Sequence, residues 1–265
     1  MENLILNKQT IKNIDAWNQA GIELPKFDYE QMAAATLENP TWIHFGSGNI
    51  FRGFIAVLQQ TLLNTGKVNT GIIAAEGYDY EIIDKIYTPH DNLSLLVIMN
   101  PDGSLEKKIV GSVSESLAAD VSREKDWARL KEIFTKPSLQ IASFTITEKG
   151  YALKNISDEY LPFVKADIAA GPASPKGVMA KVASLAYTRY KNGELPIAFV
   201  SMDNCSRNGA KLQSSVVTIA EKWVENGLVE EGFLSYLNNH GKVKSMIHYL
   251  LNKVSGKVDD FKFKN

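Results

Sequence analysis

The chain has 265 residues, 45% of them hydrophobic and 22% charged, with a formal net charge of −1. That length buries a sizeable core in one large domain or two small ones, and the near-zero charge excludes a nucleic-acid binder that works by neutralising phosphates broadly. Cys205 is the only cysteine, which excludes an internal disulfide and points to a reducing cytoplasm, and no apolar run reaches the ~18 residues of a membrane span.

Residues 1–40 read as an N-terminal arm packed outside a sheet, with a short helix over Tyr29 to Leu37. The stretch from Thr41 to Phe54 organises the rest of the chain. Ile43 and Phe45 supply a short buried strand, Gly46 and Gly48 a tight turn, and Ile50 to Leu63 a helix with apolar residues at helical period. Helix N-terminal N–H groups and the positive end of the helix dipole then face the turn, an arrangement suited to an anion. The spacing departs from G-x-G-x-x-G, because Phe51 stands at the third position and a glycine returns only at Gly53. A glycine turn without a ligand fits the same residues.

The helix stops near Asn64-Thr65-Gly66, and Thr70 to Gly77 forms a second strand ending in Glu76. An acid there accepts hydrogen bonds from the adenosine ribose in a βαβ unit and disfavours a 2′-phosphate; a solvated strand-end glutamate is the bland alternative. Asn92 to Met99 and Lys107 to Val113 flank the turn Asn100-Pro101-Asp102-Gly103 as an inserted hairpin. A helix over Ser122 to Phe134, with Ser122 as N-cap, precedes a strand over Leu139 to Ile146. Thr147, Glu148 and Lys149 follow at the strand's carboxyl end, where ligands gather in open α/β sheets, although Glu148 and Lys149 also suit an exposed loop pair.

Gly171 to Pro175 breaks the chain before an amphipathic helix over Val178 to Tyr190. A strand over Leu195 to Ser201 leads into the polar cluster Met202 to Leu212 and a helix over Leu212 to Trp223. Asp203, Asn204 and Asn208 suit substrate or cofactor contacts, or an Asx-rich helix cap. Cys205 has no histidine near it in sequence and reads as a bystander. The four histidines, His44, His90, His240 and His248, are scattered without ligand-spaced partners, so no metal site is expected, and His44 reads as a core or turn residue. Residues 241–265 read as an atypical tail, with a helical segment over 243–254.

Three stretches together resemble the mannitol dehydrogenase family of polyol and hexuronate oxidoreductases: HFGSGNIFRGF (His44 to Phe54), TITEKGY (Thr145 to Tyr151) and SMDNCSRNGAKL (Ser201 to Leu212). The resemblance covers roughly residues 20–240. It implies an α/β fold, a Rossmann-type doubly wound, mostly parallel sheet with an inserted hairpin and the arm, spanning 41–240 and binding NAD(H). It also implies hydride transfer to or from a polyol or a keto-sugar or hexuronate. By motif, Gly46, Ser47, Gly48, Asn49, Ile50, Phe51 and Arg52 line the cofactor's diphosphate. Glu76, Thr147, Glu148, Asp203 and Asn204 are further cofactor contacts, and Asn204 also donates to the reacting oxygen.

The likeness is expected to dissolve at Lys242 to Tyr249, and the family's helical C-terminal domain with its lysine base is expected to be missing. A truncated NAD-binding domain, weakly active alone and self-associating through an open face, is the first expectation. A complete short enzyme with Lys149 or Lys211 as base is the second. A non-catalytic nucleotide-sensing module is the third. No membrane or nucleic-acid partner is expected.

Overall fold

The computed structural model describes residues 4–239 and divides into two compact units, Met1–Ala119 and Asp120–Asn265. The tail over 241–265, its helical segment, His240 and His248 lie outside the described residues.

In the first unit the arm carries helices α1 (Ile14–Gln19) and α2 (Tyr29–Glu38). Both start on side-chain caps: the carboxamide oxygen of Asn13 accepts from the Ala16 N–H, and the Asp28 carboxylate from the Gln31 N–H. Trp17 is buried with Leu93 and Ile109, and Leu6, Ile11, Ile22, Leu24 and Tyr29 pack around them. The arm is thereby part of the unit's core rather than a loose strap.

Strand β1 (Trp42–Phe45) runs through the glycine turn into a widened π-helical turn, Phe51–Ile55, and then α3 (Ala56–Asn64). The helix expected over Ile50 to Leu63 is present and ends at Asn64. Its first turns are under-wound, the Ala56 N–H reaching back five residues to the Phe51 carbonyl. Strand β2 (Ile72–Glu76) is buried along its whole length, and the hairpin is β3 (Ser94–Met99) with β4 (Leu105–Val110).

Two details correct the sequence reading. The second hairpin strand begins at Leu105 and ends at Val110, and a separate strand, β5 (Val113–Ala118), comes after it. Strand β5 pairs in parallel with β2, which pairs in parallel with β1, giving the order β5-β2-β1. Ser114, Glu115 and Ser116 break the apolar run of β5, which is why its sequence does not read as a buried strand.

The second unit contains α4 (Glu124–Thr135), β6 (Ile141–Phe144), α5 (Pro162–Ala170), α6 (Val178–Lys191), β7 (Ala198–Ser201), α7 (Asn208–Glu225) and α8 (Gly232–Asn239). Strands β6 and β7 are parallel, with Ile141 opposite Ala198 and Phe144 opposite Ser201. Ser122 is not the N-cap of α4, which begins at Glu124. Its N–H and hydroxyl both donate to Asp120, at 2.8 Å. Arg189, fully buried on α6, donates to the carbonyls of Phe134, Lys136, Leu139, Leu195 and Pro196. One guanidinium therefore ties the entry to β6 to the entry to β7, and its five N–H donors are all used. Helices α5 and α8 were not legible in sequence.

Candidate active site

In the first unit the site begins where β1 ends. Gly46 sits at φ +99°, a conformation that L side chains rarely adopt, and its N–H donates to the Ala75 carbonyl at 2.9 Å. This turns the chain off the strand so that Ser47 meets the end of β2. The Ser47 N–H and hydroxyl both donate to Glu76 Oε2 at 3.0 Å. The other carboxylate oxygen, Oε1, accepts from the N–H groups of Tyr78 and Asp79 at 3.0 and 3.3 Å. Glu76 is buried, and its four acceptor positions are filled by the chain itself.

The carbonyl of the same residue is held as firmly. Ser47 O accepts from Arg52 Nη1 at 2.8 Å and from the Tyr87 hydroxyl at 2.9 Å. The Arg52 guanidinium lies 5.7 Å from the Tyr87 ring centroid and also donates to the Asn49 carboxamide. Burial, the larger cause, pushes the Tyr87 hydroxyl well above its ordinary pKa, and nearby Glu76 adds to this. It is a permanent donor. Below the turn, fully buried His44 stacks on Phe51 with ring centroids 4.5 Å apart. Desolvation drives its pKa down to about 3, so it is neutral. Phe51 is therefore a core residue and not a lining of the turn's outer face.

The turn presents backbone outward. The N–H groups of Gly48, Asn49 and Ile50 take no partner among the described residues, as the first positions of a helix require. A side chain at Gly48 would meet nothing within 4 Å, and Asn49 and Ile50 are exposed. The turn is open where an anion would dock, and its donors suit a diphosphate.

The second unit builds a different kind of loop. The carboxylate of Asp203, just after β7, accepts from the N–H groups of Ile146 and Thr147 at 3.0 and 2.9 Å, and from the Tyr151 hydroxyl at 2.5 Å. Tyr151 also shares a hydrogen bond with Ser201. Burial, followed by the Asp203 charge, pushes its pKa far up, so the phenol stays protonated. Thr147 is held at φ +64°, which a β-branched residue reaches only under constraint. Asn208 is buried, donating to the carbonyls of Ser201 and Asp203 at 3.3 and 2.8 Å. It fixes the start of α7, four residues earlier than its sequence suggests.

Between these anchors Asn204 is exposed, and its carboxamide makes no hydrogen bond among the described residues. Lys149 is exposed. Lys211 is paired with Glu148, and that hydrogen bond raises the lysine pKa. Cys205 is half-buried, and desolvation raises its thiol pKa. It remains a bystander. Gly46 to Arg52 thus gather with Glu76 in the first unit, and Thr147, Glu148, Asp203, Asn204 and Lys211 gather in the second. Tyr87 and Tyr151 were missed as supports. Tyr151 closes the TITEKGY stretch and was within reach, whereas nothing in the sequence around Tyr87 announces it.

The profile of the mannitol dehydrogenase Rossmann domain matches residues 40–260, past residue 240, where the motif likeness was expected to fade. A D-mannonate oxidoreductase of Thermotoga maritima is 53% identical over 232 residues, covering 88% of this chain and 43% of that protein. A mannitol 2-dehydrogenase of Cereibacter sphaeroides is 30% identical over 195 residues, covering 69% of this chain and 38% of its own. The structure of Pseudomonas fluorescens mannitol 2-dehydrogenase, a ternary complex with NAD and D-mannitol, superposes with a TM-score of 0.72 at 23% identity, over 94% of this chain and 50% of that one. The chain spans about half the length of the relatives it matches. The fold is accordingly the Rossmann-type α/β fold, and the chain belongs to the mannitol dehydrogenase family, of which it carries the Rossmann domain.

Proposed function

We propose that this chain is the NAD(H)-binding domain of a dehydrogenase acting on a sugar alcohol, keto-sugar or sugar acid. The observation that carries the proposal is the Ser47 backbone, its N–H held by Glu76 and its carbonyl by Arg52 and Tyr87, so that two consecutive peptide groups are fixed. With Ser47 fixed, the N–H groups of Gly48, Asn49 and Ile50 form a preorganised diphosphate site at a helix start. The 53% identity to a D-mannonate oxidoreductase supports the reaction class. Arg52 serves mainly by holding the turn. The Glu76 carboxylate favours NAD(H) over NADP(H), because a 2′-phosphate at the end of β2 would be repelled.

The cofactor, when bound, accepts or donates hydride at its nicotinamide. The role of Asn204 is then to donate its amide N–H to the substrate oxygen, on which negative charge builds as hydride arrives. Asp203 and Asn208 hold the loop that carries it. Lys211 is a poor candidate for the base, since its ion pair with Glu148 keeps it protonated and a base works best with a pKa near the operating pH. The same reading expects slow turnover by this chain alone, and the single cysteine supports cytoplasmic residence. Among the described residues no helix is long and apolar enough to cross a membrane. The exposed stripe Ile50, Phe54, Leu58 and Leu62 supports self-association, which light scattering reads directly.

Nicotinamide fluorescence titrations with NADH and NADPH test the proposal, together with NADH oxidation in the presence of fructose or fructuronate. NADH binding tighter than NADPH binding, with slow turnover unaffected by Lys149→Ala or Lys211→Ala, is the expected result. Equal affinities would remove the role of Glu76. Rapid turnover abolished by either lysine substitution would replace the proposal with that of a self-sufficient short enzyme.

A further inference from the structure

Strand β2 ends in Glu76, and the chain beyond it turns back onto the Glu76 carboxylate. Two consecutive N–H groups, those of Tyr78 and Asp79, donate to Oε1. The Tyr80 hydroxyl bonds the Gly77 and Ala119 carbonyls at 3.3 and 3.4 Å. Oε2 of the same carboxylate holds Ser47 at the glycine turn. A single carboxylate therefore joins that turn to the loop over residues 77–80.

This leaves Glu76 with nothing to offer a ligand. A carboxylate has about four lone-pair positions, and here the chain's own groups take them all, on a buried side chain. A ribose hydroxyl could reach it only by breaking a bond that fixes Ser47 or the loop. Glu76 repels a phosphate by its charge, but it has no position left from which to accept. Two other side chains stand at the same place. With their N–H groups drawn onto Glu76, Tyr78 and Asp79 are both exposed, Tyr78 at 89%. The Asp79 carboxylate takes no hydrogen bond or ion pair among the described residues. Lys85, the nearest cation in sequence, is committed to Glu81 at 2.7 Å, and the Asp79 charge acts on it without a hydrogen bond.

We infer that the adenosine end of the cofactor is held by Asp79 and Tyr78 rather than by Glu76: the Asp79 carboxylate accepts from the ribose hydroxyls and discriminates against a 2′-phosphate, and the Tyr78 ring carries the adenine. Neighbouring hydroxyls donate two charge-assisted hydrogen bonds to a free carboxylate, whereas a 2′-phosphate in the same place meets a like charge. An exposed aromatic face stacks a base without contacting its edge. Glu76 is then a positioning residue, ordering the diphosphate turn with one oxygen and the adenosine loop with the other. The inference deepens the proposed dehydrogenase function and rests on its cofactor.

Fluorescence titrations of the whole chain with NADH and NADPH, with melting temperatures on the same samples, test it. The wild-type chain should bind NADH at least ~10-fold more tightly than NADPH. Asp79→Ala should weaken NADH binding by about 10-fold without weakening NADPH binding, at the wild-type melting temperature. Glu76→Gln should move the NADH-to-NADPH ratio less than Asp79→Ala does. Tyr78→Ala should weaken both cofactors by about the same factor, roughly 10-fold, and Tyr78→Phe should restore them. An unchanged ratio in Asp79→Ala, a larger change of ratio in Glu76→Gln, or unchanged affinities in Tyr78→Ala would each overturn the inference. The two claims fail differently. No saturable NADH binding by the wild-type chain overturns the dehydrogenase proposal and the inference with it, whereas NADH binding with a ratio indifferent to Asp79 overturns the inference alone.

Discussion

The two loops that carry the candidate chemistry are built in opposite ways. At the glycine turn of the first unit, side chains are used up holding backbone: Glu76 takes the Ser47 N–H, and Arg52 and Tyr87 take its carbonyl. Among the described residues the N–H groups of Gly48, Asn49 and Ile50 are left without partners. In the second unit a side chain holds the backbone N–H groups of Ile146 and Thr147, and the side chains of Asn204, Lys149 and Arg207 remain exposed. A diphosphate needs no sequence-specific contact, so a fixed backbone serves it. A reacting oxygen and a substrate need particular functional groups, so side chains must be free. The same device, a buried carboxylate accepting backbone N–H groups, gives one site made of main chain and another made of side chains.

Breaking the carboxylate of the second loop should have the largest effect. Asp203→Ala strands two backbone N–H groups and the Tyr151 phenol, for an expected loss of about 3 kcal/mol in urea unfolding. Hydrogen exchange at Ile146 and Thr147 should accelerate with it. A loss below about 1 kcal/mol would mean that the loop is held by something else.

The next effect is pH-dependent and sharpens the first-unit side of the comparison. The His44 pKa is depressed in the folded state, to about 3, so the unfolded chain binds the proton more readily. Stability from this group is full above pH ~6.5 and falls as the pH drops from there toward 3, by roughly 1.4 kcal/mol per pH unit. About 2 kcal/mol should therefore be lost between pH ~6.5 and ~5. His44→Phe keeps a ring against Phe51 and should flatten that slope; a slope unchanged in the variant would assign the acid sensitivity elsewhere.

Glu76→Gln should cost about 1–2 kcal/mol, because an amide cannot accept all four donors that the carboxylate accepts. NADH affinity should fall with it as the Ser47 peptide loosens. Tyr87→Phe is the mildest change, deleting one hydrogen bond to Ser47 O for about 1 kcal/mol. If it weakened NADH binding more than Glu76→Gln does, the carbonyl side of the peptide would be the more important anchor.

Much of this was legible in the sequence. The strand–turn–helix from Thr41, the strand ending in Glu76, the hairpin turn at 100–103 and the helix from Val178 each follow from local apolar period and turn residues, and the structure has them all. Strand β5 was not legible, because Ser114, Glu115 and Ser116 do not look like a buried strand. Asn208 was legible as a cap but not as the first residue of α7. The sequence placed Glu76 and Arg52 at the turn, but their partners are settled by folding. Both were expected to face a ligand, and both are engaged by the turn's own backbone. Tyr87 lies 40 positions from the carbonyl it holds, a distance at which no local pattern speaks. Arg207 lay within the polar cluster after β7 but was not singled out there, and among the described residues its guanidinium has no ion partner.

The most direct measurement is a fluorescence titration with NADH of the wild-type chain and of Gly48→Asp. A side chain at Gly48 meets nothing within 4 Å, so the variant should keep the wild-type melting temperature while placing a negative charge on the turn. The account predicts saturable NADH binding by the wild-type chain in the micromolar range, with enhanced nicotinamide emission, and affinity at least ~10-fold weaker in the variant. Equal affinity in the two proteins, or no saturable binding by the wild-type chain, would contradict it.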